Sequence, residues 1–171
     1  MKLPNALAQL RAWCDLSRNT PIEIEPGVFR YFETRGVYDE TAMKEIEIEL
    51  DFTLPAAYRE FMATVGESSL FGWQPGGGGL HFFNPPQVVK VSREWAEAAP
   101  GVELFCFVGA HMAMGDIMGF CIDRRGPNNF DVFCHEYPFE EYVAVSDEIK
   151  SWRDFGKYIS GVVSRYGRES L

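Results

Sequence analysis

The sequence holds little of what metal sites, redox centres or phosphate cradles are made from. Its three histidines stand at 81, 111 and 135 and its four cysteines at 14, 106, 121 and 134. None has the close spacing of zinc ligands, and no Cys-x-x-Cys pair marks a redox catalyst. Basic charge is also short, with 16 Lys and Arg against 25 Asp and Glu and a net charge of −9. Direct nucleic-acid binding is therefore disfavoured and a basic partner favoured. Long apolar runs are missing as well. The one stretch of membrane length, Leu104 to Ile122, contains Asp116 and glycines at 109, 115 and 119. It reads as two short buried strands joined at a turn, and no membrane association is expected. Pro4, Asn5, Gln9 and Arg11 interrupt any secretory apolar core near the start. The expectation is a cytoplasmic protein whose thiols are reduced and buried.

What is present is apolar and aromatic. Of 171 residues, 46% are hydrophobic and 15% aromatic, enough for one domain with a sizeable core. The most sharply punctuated element begins at Leu54-Pro55. Thr53 is placed to cap it, Pro55 suits the first turn, and Gly66 suits a left-handed exit. Leu54, Tyr58, Phe61, Met62 and Val65 share one face, so this helix must lie on something apolar.

Helical spacing of Leu7, Leu10 and Cys14 predicts a first helix over Asn5 to Leu16, and Val28 to Glu33 reads as a strand. Asp39 to Leu50 is ambiguous: Ile46, Ile48, Leu50 and Phe52 alternate, while Met43, Ile46 and Leu50 fit a helix. Its Glu, Lys and Ala content decides for helix. Leu80 to Phe83 reads as a strand, Pro86 to Ala98 as a helix, and Leu104–Val108, Met118–Asp123 and Asp131–Glu136 as strands. The last two are joined through Arg125 to Asn129. A closing helix is capped by Ser151 and Asp154, buries Trp152, Phe155, Ile159, Val162 and Tyr166, and ends at Gly167. Strands bracketed by helices predict an α+β single domain with a mainly antiparallel sheet.

The order of these signals resembles the SUKH superfamily of bacterial immunity proteins and fungal cell-wall-assembly regulators. The matching features start with an acidic helix (Glu47, Leu50) and Leu54-Pro55 with Tyr58, Phe61 and Gly66. Phe83-Asn84-Pro85-Pro86 and Phe107 to Gly115-Asp116, with Phe120 and Asp123, follow. Val132 to Glu136 and Ser151-Trp152-Arg153-Asp154-Phe155 complete the order. The likeness covers about residues 39–160, within a SUKH-like domain of 39–171, and leaves 1–38 as an N-terminal helical extension. It implies a non-enzymatic, protein-binding module, either an immunity protein that neutralises a cognate toxin of nuclease or deaminase class or a regulator of cell-wall synthesis. No catalytic residue, metal or cofactor is implied.

Each tempting chemical motif has a plainer reading. Cys134 and His135 are strand neighbours and point to opposite faces, so they do not form a nucleophile–base pair. Gly76 to Gly79 precede a strand rather than a helix with Lys-Ser, which suits a flexible loop near Trp73 better than a phosphate cradle. If residue 123 pairs with 131, Cys121 faces Phe133 and Cys134 lies on the other face. A shift of one residue would oppose the two cysteines; buried thiols are the expectation. Acids and aromatics combine at Glu136, Glu140, Glu141 and Tyr142, the first candidate for contact with a basic cleft. Tyr137 and Phe139 beside them fit a core equally well. The acidic helix around Glu40 and Glu47 ranks second, and Trp73 joins the contact candidates.

Overall fold

A computed structural model describes residues 1–18, 20–98, 105–134, 138 and 141–168. Along the chain run α1 (Leu3–Ser17), β1 (Ile22–Glu25), β2 (Val28–Gly36), α2 (Glu40–Leu50), α3 (Ala56–Thr64), β3 (Glu67–Gly72) and β4 (Leu80–Phe82). Then come α4 (Pro85–Ala98), β5 (Phe105–His111), β6 (Asp116–Cys121), β7 (Asn128–Phe133), α5 (Tyr142–Glu148), β8 (Arg153–Asp154) and α6 (Phe155–Ser164). The eight strands form one antiparallel sheet in chain order, so each pairs with its neighbours in sequence. The fold is the expected α+β single domain.

Strand alternation splits the apolar side chains between two faces. Phe32, Leu70, Leu80, Phe82, Cys106, Val108, Met118, Phe120 and Phe130 join the buried faces of α1, α3 and α6 in the main core. Phe105, Phe107, Cys121 and Phe133 point the other way and meet Tyr142 and Trp152 in a smaller cluster. At the centre of the main core lies Phe155. Its ring centroid is 5.4 Å from Tyr58, 5.7 Å from Phe61, 5.8 Å from Phe120 and 5.2 Å from Phe130. Three of these contacts are edge-to-face, the geometry that ring quadrupoles favour.

The ambiguous acidic stretch is a helix, and Asp39 caps it by accepting from the Thr41 and Ala42 N–H groups at 3.0 and 3.1 Å. The expected face of α3 is buried throughout. Gly66 adopts φ +73°, and a Cβ there would stand 1.8 Å from the Gly36 carbonyl oxygen, so a side chain is excluded twice over. Residues 1–38 are built into the fold rather than appended: α1 packs on α6, α3 and β2, and β1 and β2 complete the sheet.

Several expectations are corrected. Thr53 does not cap α3; Pro55 occupies that position and no side chain caps the helix. The Leu54 N–H donates instead to Glu47 Oε1 at 2.6 Å. Ser151 and Asp154 do not form a reciprocal cap, since Ser151 Oγ donates to Asp131 while Asp154 alone caps α6, accepting from the Lys157 N–H at 2.8 Å. Trp152 precedes that helix and belongs to the smaller cluster. Residue 119 pairs with 131, so the hairpin register differs by four residues from the one assumed, and Cys121 faces Phe105. All four cysteines are free.

Sequence reasoning also passed over β1, β3 and β8. The polar start of β3, Glu-Ser-Ser, looked like loop. Its side chains are buried because each has a partner: Glu67 accepts from Tyr38 and Asn84, Ser68 Oγ donates to the Gly66 carbonyl, and Ser69 Oγ meets His81.

Replacing Phe155 by Ala opens a cavity among five rings. We expect a loss of about 3–5 kcal/mol in urea unfolding, with a smaller loss for Phe155→Leu. A cost below ~1 kcal/mol would remove Phe155 from its central place.

Candidate functional site

Because the sheet is a meander, the β1–β2, β3–β4 and β5–β6 connections emerge at one end, where the chain also leaves β7. Large apolar side chains stand exposed at this end: Phe29, near the start of β2, at 53%, and Trp73 at 57%, Met112 at 51% and Met114 at 47% of their surface on the connections. Aromatic and thioether side chains are the usual anchors of protein interfaces.

The loop that presents Trp73 is a set of hydrogen-bonded turns. Phe71 has φ +59°, a left-handed conformation within a strand, and its ring is buried 5.0 Å from Phe32 and 5.8 Å from Trp13. With Leu70 and Phe71 both turned into the core, the chain swings Trp73 outward. The indole lies on Gly78, where a Cβ would come within 2.5 Å of the ring. The Gly77 N–H donates to the Gln74 carbonyl at 3.1 Å, and the Met112 N–H donates to the Gly79 carbonyl at 2.8 Å. The second bond ties the β5–β6 turn to the Trp73 loop. Strain of this kind persists only where the surroundings enforce it, and it is concentrated at functional positions.

The other expected contact residues fare differently. Glu40 and Glu47 both pair with Arg59 of α3, whose Nε also donates to the Leu54 carbonyl at 3.2 Å. These acids clamp α2 to α3, and Glu47 is largely buried in doing so. Tyr142 begins α5 with 3% of its surface exposed, its ring 5.0 Å from Phe133 and its hydroxyl donating to the Cys134 carbonyl. It is a core residue, because α5 folds back over the second face of the sheet. Glu141 is exposed beside it. Glu136 and Glu140, with His135, Tyr137 and Phe139, lie outside the described residues.

A polar group that the sequence did not reveal occupies the second face over β2–β4. Arg35 donates to Glu33 Oε2 at 2.8 Å and lies 3.6 Å from Glu67 Oε1. Glu67 Oε2 accepts from Tyr38 Oη at 3.2 Å and from Asn84 Nδ2 at 3.3 Å. Ser69 Oγ lies 3.1 Å from His81 Nδ1, a pairing set by the register that opposes residues 69 and 81. Burial, and then the Arg35 charge, pull the imidazole pKa below its usual value. The carboxylates are engaged by Arg35, Tyr38 and Asn84. The cavity beside Ser69 and Glu33 measures about 10 Å³, room for one water. This arrangement satisfies buried polar atoms of β3 rather than receiving a substrate.

Burial pushes the Cys14 thiol up to about 12 and raises Cys106 and Cys121 too, so these thiols stay protonated. Among the described residues no group of three or more His, Cys, Asp or Glu side chains is placed to hold a metal ion. Nor is any described helix long and apolar enough to cross a membrane. Compared with models of known families and with curated proteins, the chain matches none.

His81 yields a pH prediction. Its folded pKa lies below the unfolded one, so the neutral form favours folding and its contribution is present above ~6.5. Stability should fall as pH drops below about 6.5, and His81→Gln should flatten that fall. Urea midpoints read across that window in both proteins check it; parallel curves would contradict it.

Proposed function

We propose that this protein acts by binding another protein in a stoichiometric complex, through the end of the sheet that displays Trp73, and carries out no catalysis of its own. The observation that supports this reading is an exposed tryptophan seated on Gly78, at the end of the sheet that also exposes Phe29, Met112 and Met114. An apolar side chain held in one conformation loses little entropy on docking, which is how a small number of anchors supply most of an interface's affinity.

The net charge of −9 favours a basic partner and speeds the encounter with it. The connection leaving β7 at the same end carries Glu141, exposed, at its far side. Together with the order of motifs that resembles the SUKH superfamily, these features support an immunity protein that covers the cleft of a nuclease or deaminase toxin. In this reading affinity comes from the apolar rim and selectivity from placed acids.

This reading requires a toxin gene next to that of this protein, and the decisive experiment mixes the two products. A one-to-one complex that abolishes toxin activity without turnover is expected. Trp73→Ala should weaken that complex by at least ~100-fold while leaving the melting temperature almost unchanged. Glu141→Lys should slow association and reduce its dependence on salt. Equal affinity for Trp73→Ala and the unaltered protein would remove this end from the interface.

A further inference from the structure

The chain carries its sulfur in six methionines and four cysteines, and the fold sorts them sharply. Met43, Met62 and Met118 are buried, the last accepting from the Tyr158 hydroxyl at 3.8 Å. Cys14, Cys106 and Cys121 are buried as well, and burial holds their thiols protonated. Cys134 is half-buried against the smaller aromatic cluster. Three methionines are left exposed. Met1 shares a groove with Asp154 and Lys157 at the start of α6, at the far end of the sheet from Trp73. The other two, Met112 and Met114, stand together on the β5–β6 turn at the Trp73 end.

That turn is held by its backbone. The Met112 N–H donates to the Gly79 carbonyl at 2.8 Å, and the Met114 and Gly115 N–H groups donate to the His111 carbonyl at 3.1 and 2.9 Å. Neither thioether side chain belongs to a buried cluster. A chemical change at these side chains therefore leaves the fold in place and alters only what the surface offers. Residues 73–79 and 112–115 contain no ionisable side chain, so the attraction of these two loops for a partner is that of apolar area.

A thioether has no proton to lose, so its reaction with a peroxide, unlike that of a thiol, does not depend on ionisation. A sulfur lone pair attacks one oxygen of hydrogen peroxide, the O–O bond breaks and an S–O bond forms. The leaving hydroxide takes the proton of the transferred oxygen and departs as water. Sulfur is oxidised by two electrons and the peroxide is reduced by two. The resulting sulfoxide is polar, and sulfoxide reductases return it to the thioether.

We propose that Met112 and Met114 are an oxidation site, at which peroxides turn the apolar Trp73 end into a polar surface and loosen its hold on a protein partner, reversibly and with the fold intact. The loosening rests on the docking function proposed above; the oxidation itself does not. A sulfoxide oxygen that enters an apolar interface without a donor loses its water and gains nothing in exchange.

Peptide mapping by mass spectrometry after graded hydrogen peroxide, on the full-length protein, tests the site. Met112 and Met114 should gain oxygen at least ~10-fold faster than Met43, Met62 and Met118. The melting temperature should stay within ~2 °C, while retention on a phenyl column falls. The double variant Met112→Leu/Met114→Leu keeps apolar side chains, Met1 and Cys134 but no thioether on the turn, and it should hold its retention through the same treatment. In the toxin complex the oxidised protein should bind at least ~10-fold more weakly, and sulfoxide reductase should restore it. Equal oxidation of the buried methionines, an unfolded product, retention unchanged by peroxide, or an equal loss of retention in the double variant would each overturn the proposal without any partner present. Unchanged affinity after full oxidation, in a complex that Trp73→Ala does weaken, would overturn it and leave the docking function standing. A complex that Trp73→Ala leaves unaltered would instead remove the docking function, and the loosening with it.

Discussion

The ring of Phe155 stands where the last helix begins, and the remaining layers are arranged about it. It touches Tyr58 and Phe61 of α3 together with Phe82, Phe120 and Phe130 of three strands. A chain that starts α6 one residue earlier or later turns this ring away from the sheet, since helical residues rotate by 100° each. Asp154 fixes the start by capping the helix while its backbone is still paired with Asn128. One residue thus ends the sheet, opens the helix and sets the rotation of the principal aromatic contact. The rest of the packing follows from that placement, including the seating of α1 on α6.

The meander has a second consequence. The β1–β2, β3–β4 and β5–β6 turns lie at one end of the sheet, while the excursions into α2, α3 and α4 and the β6–β7 turn lie at the other. Helices supply burial and capping where they cross, which leaves the turn end free to display side chains. Trp73, Met112 and Met114 all stand there. The division is physical: residues whose backbone lies under a helix are constrained by packing, whereas those on tight turns are constrained by their own dihedral angles.

Much of this was legible from periodicity. The helix faces of α1, α2, α3 and α6, and the exposed state of Trp73, were written in spacing and punctuation. Three things were not. Glu67, Ser68 and Ser69 carry no strand signal because burial of polar side chains depends on partners far away in sequence, at Tyr38, His81 and Asn84. The ion pairs of the α2 acids could not be read locally because Arg59, which engages Glu40 and Glu47, belongs to the next helix. Tyr142 read as part of a loop patch because nothing local shows that the chain folds back onto Phe133. In each case a pairing across the fold overrode a local pattern. The buried Asn129 is the extreme instance, since only the pairing of Asn128 with Asp154 and of Phe130 with Arg153 reveals that a bulge exists there.

A sheet built in chain order has two open borders, and both are closed off by simple means. β1 is four residues long, carries Glu23 and Glu25 and is kinked by an irregularity between them. β8 is two residues long and passes directly into a helix. A foreign strand needs a longer, flatter row of free amides to attach. Neither border provides one, so the addition of a further strand at either edge is disfavoured.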